Sequence, residues 1–262
     1  YKVKDKIAHE RLDALEQYDA ENRLLKLEEW VANKDYVKIA ANLYINSNTS
    51  TSVIKEIGDT LANATLNWKV TKDAISINLT LPNGDKKAQT IGRNGSYTDT
   101  NTYQAHEVDG EGNVIKYSYP CTKTWTLSAT EADAKAGSTT ASAYLYFRHR
   151  AYWGVGTVAT GFTSDFVKAL ADDDTQNKHS ELSTSKSKTF TVFADSKKYV
   201  YYAVPKDLCT SDPSFYVDGS LLSGGFSYKE DVEVTNSYGV KIIYCVYRSD
   251  HQLSGSTKVE AK

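Results

Sequence analysis

Five histidines, 33 acidic side chains and three cysteines are what this 262-residue chain offers to acid-base, metal or thiol chemistry. Such chemistry needs the groups brought together, and the spacings that announce it are missing: no HExxH, no GxSxG, no P-loop and no GxGxxG. His149 lies between Arg148 and Arg150 and reads either as a titrating group near neutral pH or as a structural histidine between strand and turn. Asp109, Glu111 and Asn113 offer oxygens in the manner of a calcium loop. Val114 stands where that loop needs glycine and Pro120 where it needs a bidentate glutamate, so a solvated hairpin tip is expected. Asp172-Asp173-Asp174 follows a short helical pattern, where the backbone dipole disfavours negative charge, and reads as loop. Cys121, Cys209 and Cys245 show no CxxC spacing; Cys209 and Cys245 can pair within one domain, and the odd count leaves reduced, half-buried thiols as the other state. The sequence thus predicts no catalytic residues, no metal and no cofactor.

The formal net charge of −2 and the lack of a basic run give no reason to expect a nucleic-acid partner. No apolar stretch approaches the roughly 20 residues needed to cross a bilayer, so no membrane partner is expected. The sequence opens at Tyr1 without a methionine or a secretory leader, and it is expected to be part of a longer polypeptide. Four Asn-x-Ser/Thr sequons begin at Asn48, Asn63, Asn78 and Asn94 and are read as chance matches in a polar β-protein. Tyrosine outnumbers phenylalanine 19 to 7, and Ser, Thr, Asn and Gly fill the gaps between short apolar runs, a bias that favours β-sheets with polar faces.

The elements that must carry any function follow in order. Residues 1–36 form a helical, coiled-coil segment, with Ile7, Leu12, Leu15, Tyr18, Asn22, Leu25, Leu27 and Val31 as its candidate oligomerisation residues. Leu15, Tyr18, Asn22 and Leu25 keep a 3-4 spacing, and Leu24, Leu27 and Val31 continue it in a shifted register. Such a helix buries its stripe against its own β-domain or against other copies, with Asn22 helping to fix register in the second case.

Residues 37–140 read as an immunoglobulin-like β-sandwich. Leu66, Trp68 and Val70 alternate with polar residues, as do Ile75, Ile77, Leu79 and Leu81, while Trp125 and Leu127 point inward; Pro82-Asn83-Gly84-Asp85 and Asp109–Asn113 supply hairpin tips. Residues 141–262 read as an antiparallel β-rich domain with one short helix at 162–170 capped by Thr163 or Ser164. Thr189–Phe193 and Tyr199–Val204 are expected to pair around the polar tract 194–198, and Val232–Val234 with Val240–Tyr247 around Asn236-Ser237-Tyr238-Gly239. Tyr144–Gly156, basic in the middle and closed by Gly154 and Gly156, is expected to act as a hinge with a sharp turn. The fold class is therefore mainly β behind an amino-terminal helix.

One surface feature suits a ligand. Tyr199, Tyr201, Tyr202, Phe215, Tyr216, Tyr228, Tyr238, Tyr244 and Tyr247 are too many for one inward face; they read either as ordinary half-buried sheet residues or as exposed rings that, beside amides, fit a sugar or a protein.

Taken together, Trp30-Val31 at the helix end, Glu56-Ile57-Gly58 before Trp68, Tyr152–Gly156, Tyr199–Pro205 and Tyr247-Arg248-Ser249 resemble virion fibre and tail appendage proteins of phages infecting gut Bacteroidales. The resemblance covers nearly the whole chain in order of elements. It implies a non-enzymatic homotrimer located in the virion, contacting other virion proteins, with host surface polysaccharide as a further partner. A bacterial surface adhesin or carbohydrate-binding module is the alternative; a capsule depolymerase would need paired carboxylates in a groove.

Overall fold

The computed structural model describes residues 2–34, 36–108, 110–111, 114–117, 121–131, 137–173, 178–221 and 225–262, with helix side chains described from Lys6 to Trp30. Val31 therefore lies on the helix with its side chain outside the described residues, as do Asp109, Gly112 and Asn113 of the expected hairpin tip and Asp174 of the acidic run.

Helix α1, Lys2–Lys34, contains no glycine or proline, and its Ala, Leu, Glu, Lys and Arg content favours helix throughout. The chain then enters β1 (Ala41–Ile45), β2 (Ser52–Glu56), β3 (Thr60–Val70), β4 (Ala74–Thr80), β5 (Lys86–Ala88) and β6 (Asn94–Gln104). A small hairpin, β7 (His106–Val108) and β8 (Val114–Tyr117), precedes β9 (Cys121–Glu131) and the long β10 (Ser138–Gly156). Helix α2 (Ser164–Lys168) leads to β11 (His179–Ser183), β12 (Lys188–Pro205), a 3-10 turn at Lys206–Leu208, β13 (Phe215–Val217), β14 (Ser220–Leu221), β15 (Tyr228–Thr235), β16 (Lys241–Arg248) and β17 (Leu253–Ala261).

The amino-terminal unit is two sheets over one core. The β1-β3-β6 sheet sends Leu43, Ile45, Leu66, Trp68 and Val70 inward, and β4, β9 and β10 answer with Ile77, Leu79, Trp125, Leu127, Leu145 and Phe147. Alternation puts these side chains on one face of each strand. It fails at Ile75, which is 57% exposed. A bulge between Ala74 and Ser76 slips the register there, so Ala74 takes the inward place expected for Ile75.

Strand β10 belongs to both halves. Its first part pairs with β9 (Ser138 opposite Thr130 to Phe147 opposite Cys121) and, in parallel, with β2 (Tyr144 opposite Ser52 to Arg148 opposite Glu56). Its second part pairs with β11 and β12, ending with Gly156 opposite Tyr199. The sharp turn expected at Gly154 and Gly156 is absent, because both residues lie in the strand. Gly154 instead admits a neighbouring backbone: a Cβ there would stand 2.3 Å from the Ala171 nitrogen, and the adjacent Val155 N–H donates to the Ala171 oxygen at 2.9 Å.

Strand β12 corrects a second expectation. Thr189–Phe193 and Tyr199–Val204 do not pair with one another; they are one strand with an irregularity between Ala194 and Lys198. Its first part pairs with β17 and its second with β10 and β16. The expected hairpin of β15 and β16 is present, with Val232 opposite Tyr244.

Where β10, β12 and β16 run together, both faces of the sheet are covered. Tyr152, Tyr201, Ala203, Tyr244 and Val246 face a core continuous with the amino-terminal one and closed by Phe162, Val167 and Leu170 around α2. Ala151, Trp153, Val200, Tyr202, Val204, Cys245 and Tyr247 face a second core with Phe190, Val192, Phe215, Phe226 and Val259. Polar contacts fasten the halves: the Asn236 Nδ2 amide donates to the Ile57 oxygen at 2.7 Å, and half-buried Arg150 pairs with buried Glu56 at 3.2 Å.

Candidate functional site

Helix α1 is where the structure leaves apolar surface in water. Leu15 and Tyr18 are each 68% exposed and Leu25 62%, and Ile7, Leu12, Leu24, Leu27 and Trp30 are exposed as well. Among the described residues no strand or second helix packs along α1.

At about 100° per residue, the candidate residues divide between two sides of the helix. Ile7, Leu15, Tyr18, Asn22 and Leu25 fall within an arc of roughly 80°, with Leu12 beside it. Leu27 falls on roughly the opposite side, together with Leu24. Each side carries a shallow apolar depression, one lined by Ile7, Ala8, Arg11, Leu12 and Leu15, the other by Ala20, Arg23, Leu24 and Leu27. The Asn22 side chain is half-buried against its own helix, and its Nδ2 donates to the Tyr18 oxygen at 2.9 Å, leaving Oδ1 as the group able to accept from elsewhere. Gln17 donates to Glu21 at 3.1 Å and Lys6 lies 3.9 Å from Glu10, both at the i, i+4 spacing that supports a helix.

The groups that invited a search for chemistry are taken up in packing. His149 is buried, and burial pushes its pKa down to about 4, so the ring is neutral at physiological pH. All three cysteines are free thiols. Burial raises the Cys209 pKa and pushes that of Cys245 up to about 11, which keeps both protonated. Asp99, in the middle of β6, is fully buried and accepts from Trp125 Nε1, the Tyr103 hydroxyl and Asn101 Nδ2, each at 2.7 Å. A carboxylate so enclosed braces the β3-β6 sheet against β9, and sequence reading missed it because β6 shows no apolar alternation. Asp172 accepts from the Phe193 N–H at 2.8 Å and lies 2.8 Å from His179, whose ring stacks on Trp153. Among the described residues no group of three or more His, Cys, Asp or Glu side chains is placed to hold a metal ion, and no helix is long and apolar enough to cross a membrane.

The aromatic cluster expected to offer an outer face is mostly interior. Tyr201, Tyr202, Phe215, Tyr244 and Tyr247 are buried, because the sheet carrying them has a core on each side and alternation delivers rings to both. Tyr199, Tyr216 and Tyr228 are half-buried, the first and last under the Arg248 guanidinium at 4.5 and 4.4 Å, and Tyr238 is exposed.

No family model matches the chain, and no curated protein matches it. Among solved structures, it is similar to the N-terminal eight Ig domains of Down Syndrome Cell Adhesion Molecule isoform 1.30.30, at 8% identity and a TM-score of 0.21, over 82% of this chain and 23% of that one.

Proposed function

We propose that this chain is a non-enzymatic structural subunit of a phage virion fibre or tail appendage, assembled as a homotrimer through α1. The observation that carries this reading is the apolar surface of α1, exposed along a helix against which no strand or second helix packs among the described residues. A lone helix gains little stability from propensity and depends on packing its apolar side, which three copies side by side would provide. In this arrangement Ile7, Leu15, Tyr18, Asn22 and Leu25 line the seam with Leu12 at its edge. Leu27, an oligomerisation candidate by spacing, lies on the other side of the helix and is left for a neighbouring virion protein. The immunoglobulin-like sandwich is a spacer, and the carboxy-terminal β unit faces host surface polysaccharide, where three weak contacts gain from effective concentration.

The rival, a bacterial surface adhesin, places the same chain on the cell envelope. Immunogold electron microscopy of a lysing Bacteroidales culture, with antibody raised against the β units, separates the two. Gold on particle appendages supports the proposal, and gold confined to the envelope of uninfected cells overturns it.

A further inference from the structure

We infer that Cys209 and Cys245 form a redox modification site, a dithiol that a small disulfide such as oxidised glutathione converts to an intrachain disulfide. The inference is independent of how α1 assembles.

The register of the carboxy-terminal sheet brings the two thiols together. Cys245 lies in β16 opposite Val204 of β12, and alternation puts it on the same face as Tyr247, in the second core. Strand β12 ends at Pro205, and the 3-10 turn Lys206–Leu208 packs against β16 and returns the chain over that core. Cys209 follows at once, with its N–H donating to the Lys206 oxygen at 2.9 Å. Its half-buried side chain packs against the second core, within hydrogen-bonding reach of both the Cys245 thiol and the Tyr247 hydroxyl. Cys121 shows the contrast. It stands in β9 opposite Phe147, in the amino-terminal core.

The surroundings give the two sulfurs different roles. Burial raises the pKa of Cys209, but hydrogen bonds with Tyr247 and Cys245 and the charges of Lys186 and Lys229 favour its thiolate. Cys245 is fully buried; burial and the neighbouring Cys209 push its pKa up to about 11, with Lys229 and Asp231 the charged groups beside it. Cys209 is therefore the more accessible thiol and the first to ionise. Its thiolate attacks one sulfur of the oxidant, so a mixed disulfide forms and one glutathione leaves as thiolate. The Cys245 S–H donates to Asp231 Oδ1 at 3.6 Å, a route for its proton, and the resulting thiolate attacks the Cys209 sulfur. The bond between Cys209 and Cys245 forms, the mixed bond breaks, and the second glutathione leaves. Two protein thiols are oxidised, one glutathione disulfide is reduced to two thiols, and the two protons released by the protein pass to them through solvent. The new bond ties the end of β12 to the β15-β16 hairpin, a lock that stays open in a reducing compartment and closes in an oxidising one.

The test is incubation of the intact native chain with millimolar oxidised glutathione, followed by alkylation in denaturant and peptide mass mapping. A peptide linking Cys209 to Cys245 is expected, with Cys121 alkylated. The thermal midpoint should rise by roughly 5 °C or more and fall back with dithiothreitol. In Cys245→Ala the reaction should stop at a glutathione adduct on Cys209, whereas Cys245 in Cys209→Ala should be modified several-fold less. A linked peptide containing Cys121, a link between chains, or full alkylation of Cys209 and Cys245 after treatment overturns the site. An unchanged midpoint in the linked chain overturns the lock. An adduct on Cys245 in Cys209→Ala as abundant as that on Cys209 in Cys245→Ala overturns the order of attack.

Discussion

Helix α1 and strand β10 are the two longest elements described, 33 and 19 residues, and both carry large apolar side chains along most of their length. Their surroundings are opposite. Leu145 and Phe147 in β10 are buried in the amino-terminal core, and Tyr152 and Trp153 divide between the two cores on either side of the sheet. Leu15, Tyr18 and Leu25 in α1 meet no such layer and stay exposed. The β units therefore draw their stability from the chain itself. In the proposed assembly, the same residue types in α1 acquire a packing role when further copies arrive.

This contrast predicts where substitutions are felt. The largest effect is expected for Trp125→Ala, which empties a fully buried site and removes one of the donors to Asp99. Chemical denaturation should show a loss of about 3–5 kcal/mol, whereas a loss under about 1 kcal/mol would mean that the β units lean on something other than this core.

The next effect concerns pH. His149 sits in β10 with its pKa depressed to about 4, below its ordinary 6.5, by burial, and the Asp207 charge offsets this only in part. The unfolded state then binds more protons than the folded state between those values. Stability is fully present above about pH 6.5 and falls as pH drops towards 4, by roughly 2–3 kcal/mol. Denaturation series at stepped pH should give this slope, and His149→Gln should flatten it. Gly154→Ala should cost roughly 1–3 kcal/mol by pressing a methyl against the Ala171 backbone, read as a lower thermal midpoint. At the small end, Lys6→Ala removes an exposed helix pair and should leave the denaturation of the β units within about 0.5 kcal/mol.

Much of this architecture is legible from local signals. A glycine-free run of good helix formers gives α1, Asn83-Gly84 gives the turn after β4, and Thr163 caps α2, with its Oγ1 accepting from the Phe166 N–H at 3.2 Å. What is not legible depends on distant partners. The polar tract 194–198 has the composition of a turn and is an irregularity within β12, because β17 continues alongside it. Asn94–Gln104 lacks apolar alternation and is still a strand, paired with β3 and centred on a buried aspartate. Tyr201 and Tyr202 are adjacent and both buried, which no period-two reading anticipates unless the sheet is known to have a core on each face.

The most direct test of the central claim is light scattering on the intact chain at micromolar concentration, beside a Leu15→Asp, Leu25→Asp double variant. The account predicts three times the chain mass for the parent, one chain mass for the variant, and the same denaturation midpoint for the β units in both. A monomeric parent with α1 still helical by circular dichroism, or a variant that remains trimeric, would contradict it.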